Sequence, residues 1–344
     1  MSEVIVLEND KIIIKVLTLG AILNSFYIKS LDTDIVLGFD DYSTYLGKNS
    51  YSIGKSIGRC ANRIRNCKFS LNGVEYHLLA NNGPNSLHGG EVNFGNVEWK
   101  VENKTENKVV LSYDSKDMEA GYPGNLHVEA IYELKDTELK LTYTGISDKD
   151  TIFNMTNHSY FNLDKVKTDI LSHSLLINAD KVNLNDENGM ASDKVIEVKN
   201  TPFDFLDYKL IGDAVSANGV LLNQYCKGII DGIVKTDGSD KRLIDNLDTN
   251  YLYENLNEKI ICILKNDKLK LNIISDLPCV QIYTGKVIDV DGREGHYGGY
   301  AGVAIEPQFC PNAINYENFL KPIIKANEKV SHVIKYRIAK SDTV

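Results

Sequence analysis

The chain has 344 residues, 43% hydrophobic and 25% charged, which excludes disorder, collagen and coiled coil as its main architecture. A chain of this length buries about three quarters of its unfolded surface, so it needs neither disulfide nor metal to hold a core. With 38 Lys+Arg against 47 Asp+Glu the formal charge is −9, so the chain has neither the basic footprint of a nucleic-acid binder nor a polybasic segment for anionic membranes.

The first residues have no cationic start followed by an apolar run, so no secretory signal is expected. No stretch approaches the roughly 18 apolar residues of a spanning helix. Residues 68–71 and 74–78 flank Asn72-Gly73, a strong hairpin signal. Residues 109–113 form a short strand candidate. Residues 126–134 alternate apolar and polar, and after a polar turn at 135–137 the alternation resumes over 138–144. Residues 171–177 are another short candidate. The stretch 178–250 lacks strong alternation and reads as loops and short strands inserted in one domain. Residues 260–264 are continuously apolar, as in a strand buried on both faces. Beyond the polar turn 265–268, residues 269–274 begin by alternating. Residues 303–305 and 330–338 are the last strand candidates.

A sustained 3.6-residue period is hard to find, and the 19 tyrosines suit pleated, half-buried surfaces. No linker and no fixed-period repeat breaks the chain. The reading is therefore all-β, a sandwich or barrel, with residues 1–344 as a single domain. The six cysteines, Cys60, Cys67, Cys226, Cys262, Cys279 and Cys310, form no C-x-x-C pair or zinc-finger spacing. They are expected to be free, mostly buried thiols in a cytoplasmic protein.

Three polar clusters sit beside turn or strand-end signals. The first joins residues 58–64 to residues 81–90 and offers Asn62, Arg63 and His88 among small residues. The second, residues 156–163, places His158 among hydrogen-bonding and aromatic neighbours. The third, residues 303–309, ends an apolar run at Glu306, which the following proline holds extended. Each has a purely structural reading as well: a satisfied core histidine, a surface carboxylate, a solvated loop arginine beside Arg59 and Arg65. His77, His127, His173, His296 and His332 read as structural or exposed, and residues 121–124 as a turn.

If the clusters converge, one carboxylate and two histidines can serve as base and acids near neutral pH. Asparagine, arginine and glutamine can hold hydroxyls. That set suits a neutral, polyhydroxylated ligand such as a sugar. No metal triad, P-loop, G-x-S-x-G or dinucleotide-binding pattern is present.

At these clusters the chain resembles the aldose 1-epimerase (galactose mutarotase) family. The matching segments are residues 58–64, 68–76, 81–90, 121–126, 157–163, 201–205, 281–285 and 306–308. Their order and span carry the resemblance, since single motifs such as Asn-Arg-Ile are weak. It implies a large antiparallel β-supersandwich that interconverts the α and β anomers of free aldohexoses, galactose and glucose among them, without cofactor or metal. It implies Glu306 as the base for the C1 hydroxyl, His158 as the acid for the ring oxygen and His88 as their helper. Asn62, Arg63, Asp248 and Gln281 match the family's sugar-binding positions.

Asp245 stands close to Asp248 and is the alternative sugar-binding aspartate. After Glu306-Pro-Gln308 the family often has His-Phe-Pro; this chain has Phe309-Cys310-Pro311, a change expected to bear on substrate preference or rate. Serine replaces the usual threonine after His158, which is expected to be tolerated. Two other readings stand beside this one. The first is a relative acting on another or a phosphorylated sugar, although the acidic balance offers few cations for a phosphate beyond the arginine cluster. The second is a non-catalytic sugar-binding protein, which would have lost the base or the acid. The only partner implied is a small-molecule sugar, and the oligomeric state stays open.

Overall fold

Alternation along the chain becomes pleated sheet wherever one face can be buried. In the strand Leu126–Lys135 every second side chain is buried, and it pairs antiparallel with Glu138–Ser147 from Leu126↔Ser147 to Lys135↔Glu138. Asn72 and Gly73 both take positive φ, 52° and 79°, between the paired strands Lys68–Leu71 and Val74–His77, as a tight hairpin turn requires. A computed structural model describes residues 2–47, 50–90, 92–253 and 257–341.

Two antiparallel sheets form the body. A nine-stranded sheet runs through Lys100–Lys104, Lys108–Ser115, Leu126–Lys135, Glu138–Ser147, Lys329–Lys340, Leu269–Ser275, Lys259–Lys265, Ser174–Ile177 and Lys209–Leu210, in that spatial order. A six-stranded sheet runs through Tyr160–Phe161, Val303–Gln308, Cys279–Tyr283, Asp248–Leu252, Lys181–Asn185 and Ala191–Glu197. The sheets pack face to face: Phe161 of the second lies 5.2 Å from Tyr336 of the first, ring to ring. A four-stranded sheet over residues 4–34 adds Ile5, Leu7, Ile14 and Val16 to the same core. This is the all-β supersandwich expected from the sequence.

The six-stranded sheet is two-faced. Val182, Tyr251, Val280, Ile282, Val303 and Ile305 point into the shared core. The intervening residues point the other way, and pairing aligns Asn250, Gln281 and Glu306 in one row across three strands. Loops from the first half of the chain cover that row, so every residue of Val303–Gln308 is buried.

Four expectations need correction. The stretch 178–250 holds the expected short strands, but they are no insertion: Lys181–Asn185, Ala191–Glu197 and Asp248–Leu252 are integral to the six-stranded sheet. A helix, Leu222–Ile230, also lies there. It buries Leu222, Tyr225 and Cys226, and its first N–H donates to Asp245 Oδ1 at 2.8 Å, 23 residues away. A nine-residue helix capped from so far carries little local signal. Ile260 is 38% exposed, because the ladder shifts register between Ile260 and Cys262 and turns it outward. Finally, only Ser174–Ile177 of the candidate 171–177 is strand. The six cysteines are all buried and free, and no helix among the described residues is long and apolar enough to cross a membrane.

Candidate active site

Asn62, Arg63 and His88 come from two loops that bind each other. Arg63 pairs with Leu87 in a two-residue ladder. His88 N donates to Asn62 O at 2.9 Å, and Asn62 N donates to His88 Nδ1 at 3.2 Å. Because Nδ1 accepts there, neutral His88 carries its proton on Nε2. Gly89 follows with φ +88°, and a Cβ on it would lie 2.1 Å from Gly58 O, so no side chain fits. Arg59, three residues before Asn62, is spent on structure: its guanidinium donates to the carbonyls of Pro123, Lys116 and Gly124.

His158 follows the short strand Thr156–Asn157. Its backbone is clamped both ways, with N donating to Lys55 O and O accepting from Gly54 N, each at 2.9 Å. Its ring meets His88 edge to face at 5.2 Å between centroids and Tyr160 at 5.0 Å. His158 Nε2 lies 3.6 Å from Glu306 Oε1. Glu306 Oε2 and His158 Nδ1 are buried with no partner among the described residues.

Burial decides the resting protonation. It pushes the Glu306 carboxyl well above the usual carboxylate range; the charge of Asp248 adds to the effect and Arg63 opposes it. Burial pulls His158 down to about 4, with the Lys55 cation acting in the same direction. His88 is held well below its ordinary value by burial, then by His158, Arg63 and Lys55. At neutral pH both rings are therefore neutral, while Glu306 holds its proton to higher pH than an exposed carboxyl does.

Asp248 occupies the next row of the sheet, opposite Tyr283. Its Oδ1 accepts from Gln281 Nε2 at 2.6 Å, and its Oδ2 lies 3.9 Å from Arg63 Nη1. Arg63 Nε donates to Asn82 Oδ1 at 3.0 Å, which fixes the guanidinium plane.

These groups wall one cavity of about 350 Å³. Asn62, Arg63, His88, His158, Asp248, Gln281 and Glu306, all singled out from the sequence, line it together. Asp245 does not: it turns to the Lys286 ammonium and to the helix start at Leu222. Phe309 and Cys310 do not line it either. Phe309 packs on His332 with centroids 5.4 Å apart, and Cys310 Sγ donates to Asn183 Oδ1 at 3.2 Å. Tyr51, Asn246, Tyr283 and Lys286 also line the cavity and were not singled out. Tyr283 was findable, since it lies two residues after Gln281 on the same strand face.

A cavity with a buried carboxyl–imidazole pair at one wall and amide, guanidinium and carboxylate groups around it can bind several hydroxyls while moving protons. Comparison with known proteins points the same way. The family model described as aldose 1-epimerase matches residues 3–337. Galactose mutarotase of Bos taurus is 31% identical over 343 residues, covering 97% of this chain and 93% of its own. Aldose 1-epimerase of Escherichia coli K12 is 29% identical, covering 96% and 93%. Among solved structures, a GalM/aldose epimerase homologue from C. elegans superposes with a TM-score of 0.85 at 26% identity, over 99% of this chain and 100% of that one. Galactose 1-epimerase from Lactobacillus acidophilus NCFM gives 0.80 at 25% identity, over 98% and 95%. This chain belongs to the aldose 1-epimerase family and is an isomerase of sugar anomers.

Proposed function

We propose that the protein interconverts the α and β anomers of free aldohexoses, galactose and glucose first, with Glu306 and His158 as the proton-transferring pair. The observation that carries the reading is the 3.6 Å approach of His158 Nε2 to Glu306 Oε1 inside a cavity of about 350 Å³ whose other polar groups suit hydroxyls. Asn62, Arg63, Asp248 and Gln281 hold the pyranose.

The pair carries one mobile proton. Burial raises the proton affinity of Glu306 and lowers that of His158, so before sugar binds the proton favours Glu306. A C1 hydroxyl that donates to the carboxylate and a ring oxygen that accepts from the imidazolium both favour the other arrangement, Glu306 ionised and His158 protonated. From there Glu306 takes the C1 hydroxyl proton, C1=O forms, the bond from C1 to the ring oxygen breaks, and His158 protonates that oxygen. C1–C2 rotation presents the other face of the aldehyde. The C5 hydroxyl then attacks C1, returning its proton to His158, while Glu306 reprotonates O1. His88, neutral and protonated on Nε2, supports the charge near the ring oxygen and C1. The net charge of pair plus sugar never changes, which suits a site this deeply buried.

The chain acts as one folding unit over residues 1–344, a reading supported by a core cluster that contains both Ile5 and Ile338. Its six free, buried thiols suit the reducing cytoplasm.

The test is polarimetry of freshly dissolved α-D-galactose and α-D-glucose with wild type, E306Q and H158Q. Accelerated decay to the same final rotation, lost in both variants, is expected. Absence of acceleration by wild type with either sugar overturns the substrate assignment. Full activity in E306Q overturns the roles.

A further inference from the structure

We propose that Lys286 is a substrate-binding residue, its ammonium donating to a pyranose hydroxyl at the end of the cavity remote from C1. The inference rests on the function proposed above and adds a contact that the family resemblance did not assign.

Register locates the residue. Gln281 and Glu306 are paired in one row of the six-stranded sheet, and Asp248, Tyr283 and Ala304 form the next. The chain leaves the sheet after Tyr283 and reaches Lys286 three residues later. Lys286 therefore lies past Asp248, on the far side from Glu306, and it lines the same cavity. A sugar with C1 at Glu306 and His158 extends toward it.

The lysine is held, not trailing in solvent. The backbone before it turns at Gly285, φ +65°, whose carbonyl accepts from Ile288 N and Tyr300 N, each at 3.1 Å. Its ammonium donates to Asp245 Oδ2. Asp245 is itself fixed: the side chain is 6% exposed, Oδ1 accepts from Leu222 N at 2.8 Å, and the main-chain carbonyl accepts from Tyr300 Oη at 2.6 Å. The carboxylate thus aims the lysine from outside the cavity. The Lys286 side chain remains 33% exposed, and two of its three N–H donors have no partner among the described residues.

This anchoring also selects the ligand class. Asp245 balances the lysine and Asp248 faces Arg63, so the remote end presents donors without surplus positive charge. A neutral hydroxyl fits that arrangement; a phosphate dianion would need uncompensated cations. The side chain therefore reads a hydroxyl on C3, C4 or C6.

Steady-state mutarotation by wild type, K286M and K286R, on galactose and on its 3-, 4- and 6-deoxy analogues, tests the contact. Losing a hydrogen bond from a charged donor is expected to raise KM for galactose about 10-fold in K286M while kcat stays within about two-fold. K286R, which keeps the charge, is expected to recover part of the loss. One deoxy analogue should lose affinity with wild type and lose nothing further with K286M, which a purely structural lysine would not produce. Should K286M unfold because Asp245 is left bare, K286Q, whose amide can still donate to Asp245, reads the same cycle.

Equal KM in wild type and variant overturns the inference, as do deoxy losses that add independently for all three analogues. A wild type that prefers a hexose 6-phosphate also overturns it, since Lys286 would then read an anion. If wild type accelerates none of the sugars, the proposed function falls and this contact with it; if wild type is active and K286M matches it, only the contact falls.

Discussion

Ile305 and Glu306 are neighbours in one strand, 0% and 2% exposed, and point to opposite faces of the same sheet. On the Ile305 side, Val280, Ile282 and Tyr251 pack into the shared core. On the Glu306 side, Gln281 Oε1, Asn250 Oδ1, Glu306 Oε2 and both amide atoms of Gln308 are buried without a partner among the described residues. Each such atom costs about 1–3 kcal/mol while it stays unpaired. The difference shows how one pleat separates two tasks: one face is satisfied by packing, whereas the other buries polar groups, of which Gln281 and Glu306 reach the cavity.

The largest effect expected from breaking this comparison is on the cavity face. E306Q keeps shape and burial and removes only the ability to accept a proton, so kcat should fall by about 10²–10⁴. Its melting temperature should hold or rise, because a buried ionisable group has become neutral at every pH. On the core face I305A should do the reverse. Removing those methyl groups costs about 2–5 kcal/mol of unfolding free energy, while kcat per folded molecule changes little. Denaturation and polarimetry on the same samples separate the two. An inactive but fully folded I305A would show that the faces are not independent.

A smaller effect is expected at the edge of the cavity. D248N preserves size but removes the carboxylate facing Arg63 and partnering Gln281. KM should rise about 10-fold, as for loss of one charged hydrogen bond. If kcat falls as far as in E306Q, Asp248 belongs to proton transfer and not to holding the sugar.

Much of this was legible in the sequence, but unevenly. The hairpin at Asn72-Gly73 and the alternating pair around residues 135–137 were readable because turn chemistry and period 2 act over a few residues. The helix Leu222–Ile230 was not, because its capping carboxylate, Asp245, lies far along the chain. The site residues were legible through the family resemblance; composition and periodicity alone left His158 and Glu306 as ordinary core or strand-end groups. In the sequence Asp248 is preferred to Asp245 because Asn250-Tyr251 follows it, and only the register against Tyr283 and Gln281 sets the two apart in the structure. Lys286 escaped because a lysine in a loop looks solvated until its distant anchor, Asp245, is known.

The subtlest expected effect is on how stability depends on pH, where the two sides of the proton-transferring pair oppose each other. Glu306 keeps its proton in the folded protein well above the pH at which it loses it unfolded. Between about pH 4.5 and 6.5 the native state then binds more protons at this group than the unfolded state, so its contribution to stability falls as pH rises. His158 behaves oppositely. Its pKa drops to about 4 in the fold, so in the same window the unfolded state binds the extra proton and stability rises with pH. Each slope is at most about 1.4 kcal/mol per pH unit; in wild type Glu306 opposes His158, and His88, also held low in the fold, adds to the His158 side. E306Q should therefore make stability rise more steeply with pH across this window, and H158Q should make the dependence shallower than in wild type, because Glu306 then opposes His88 alone. Urea unfolding at pH 4.5, 5.5 and 6.5 reads all three slopes. Parallel curves for wild type and both variants would mean that neither group changes its proton affinity on folding, and the opposed shifts of Glu306 and His158 would have to be abandoned.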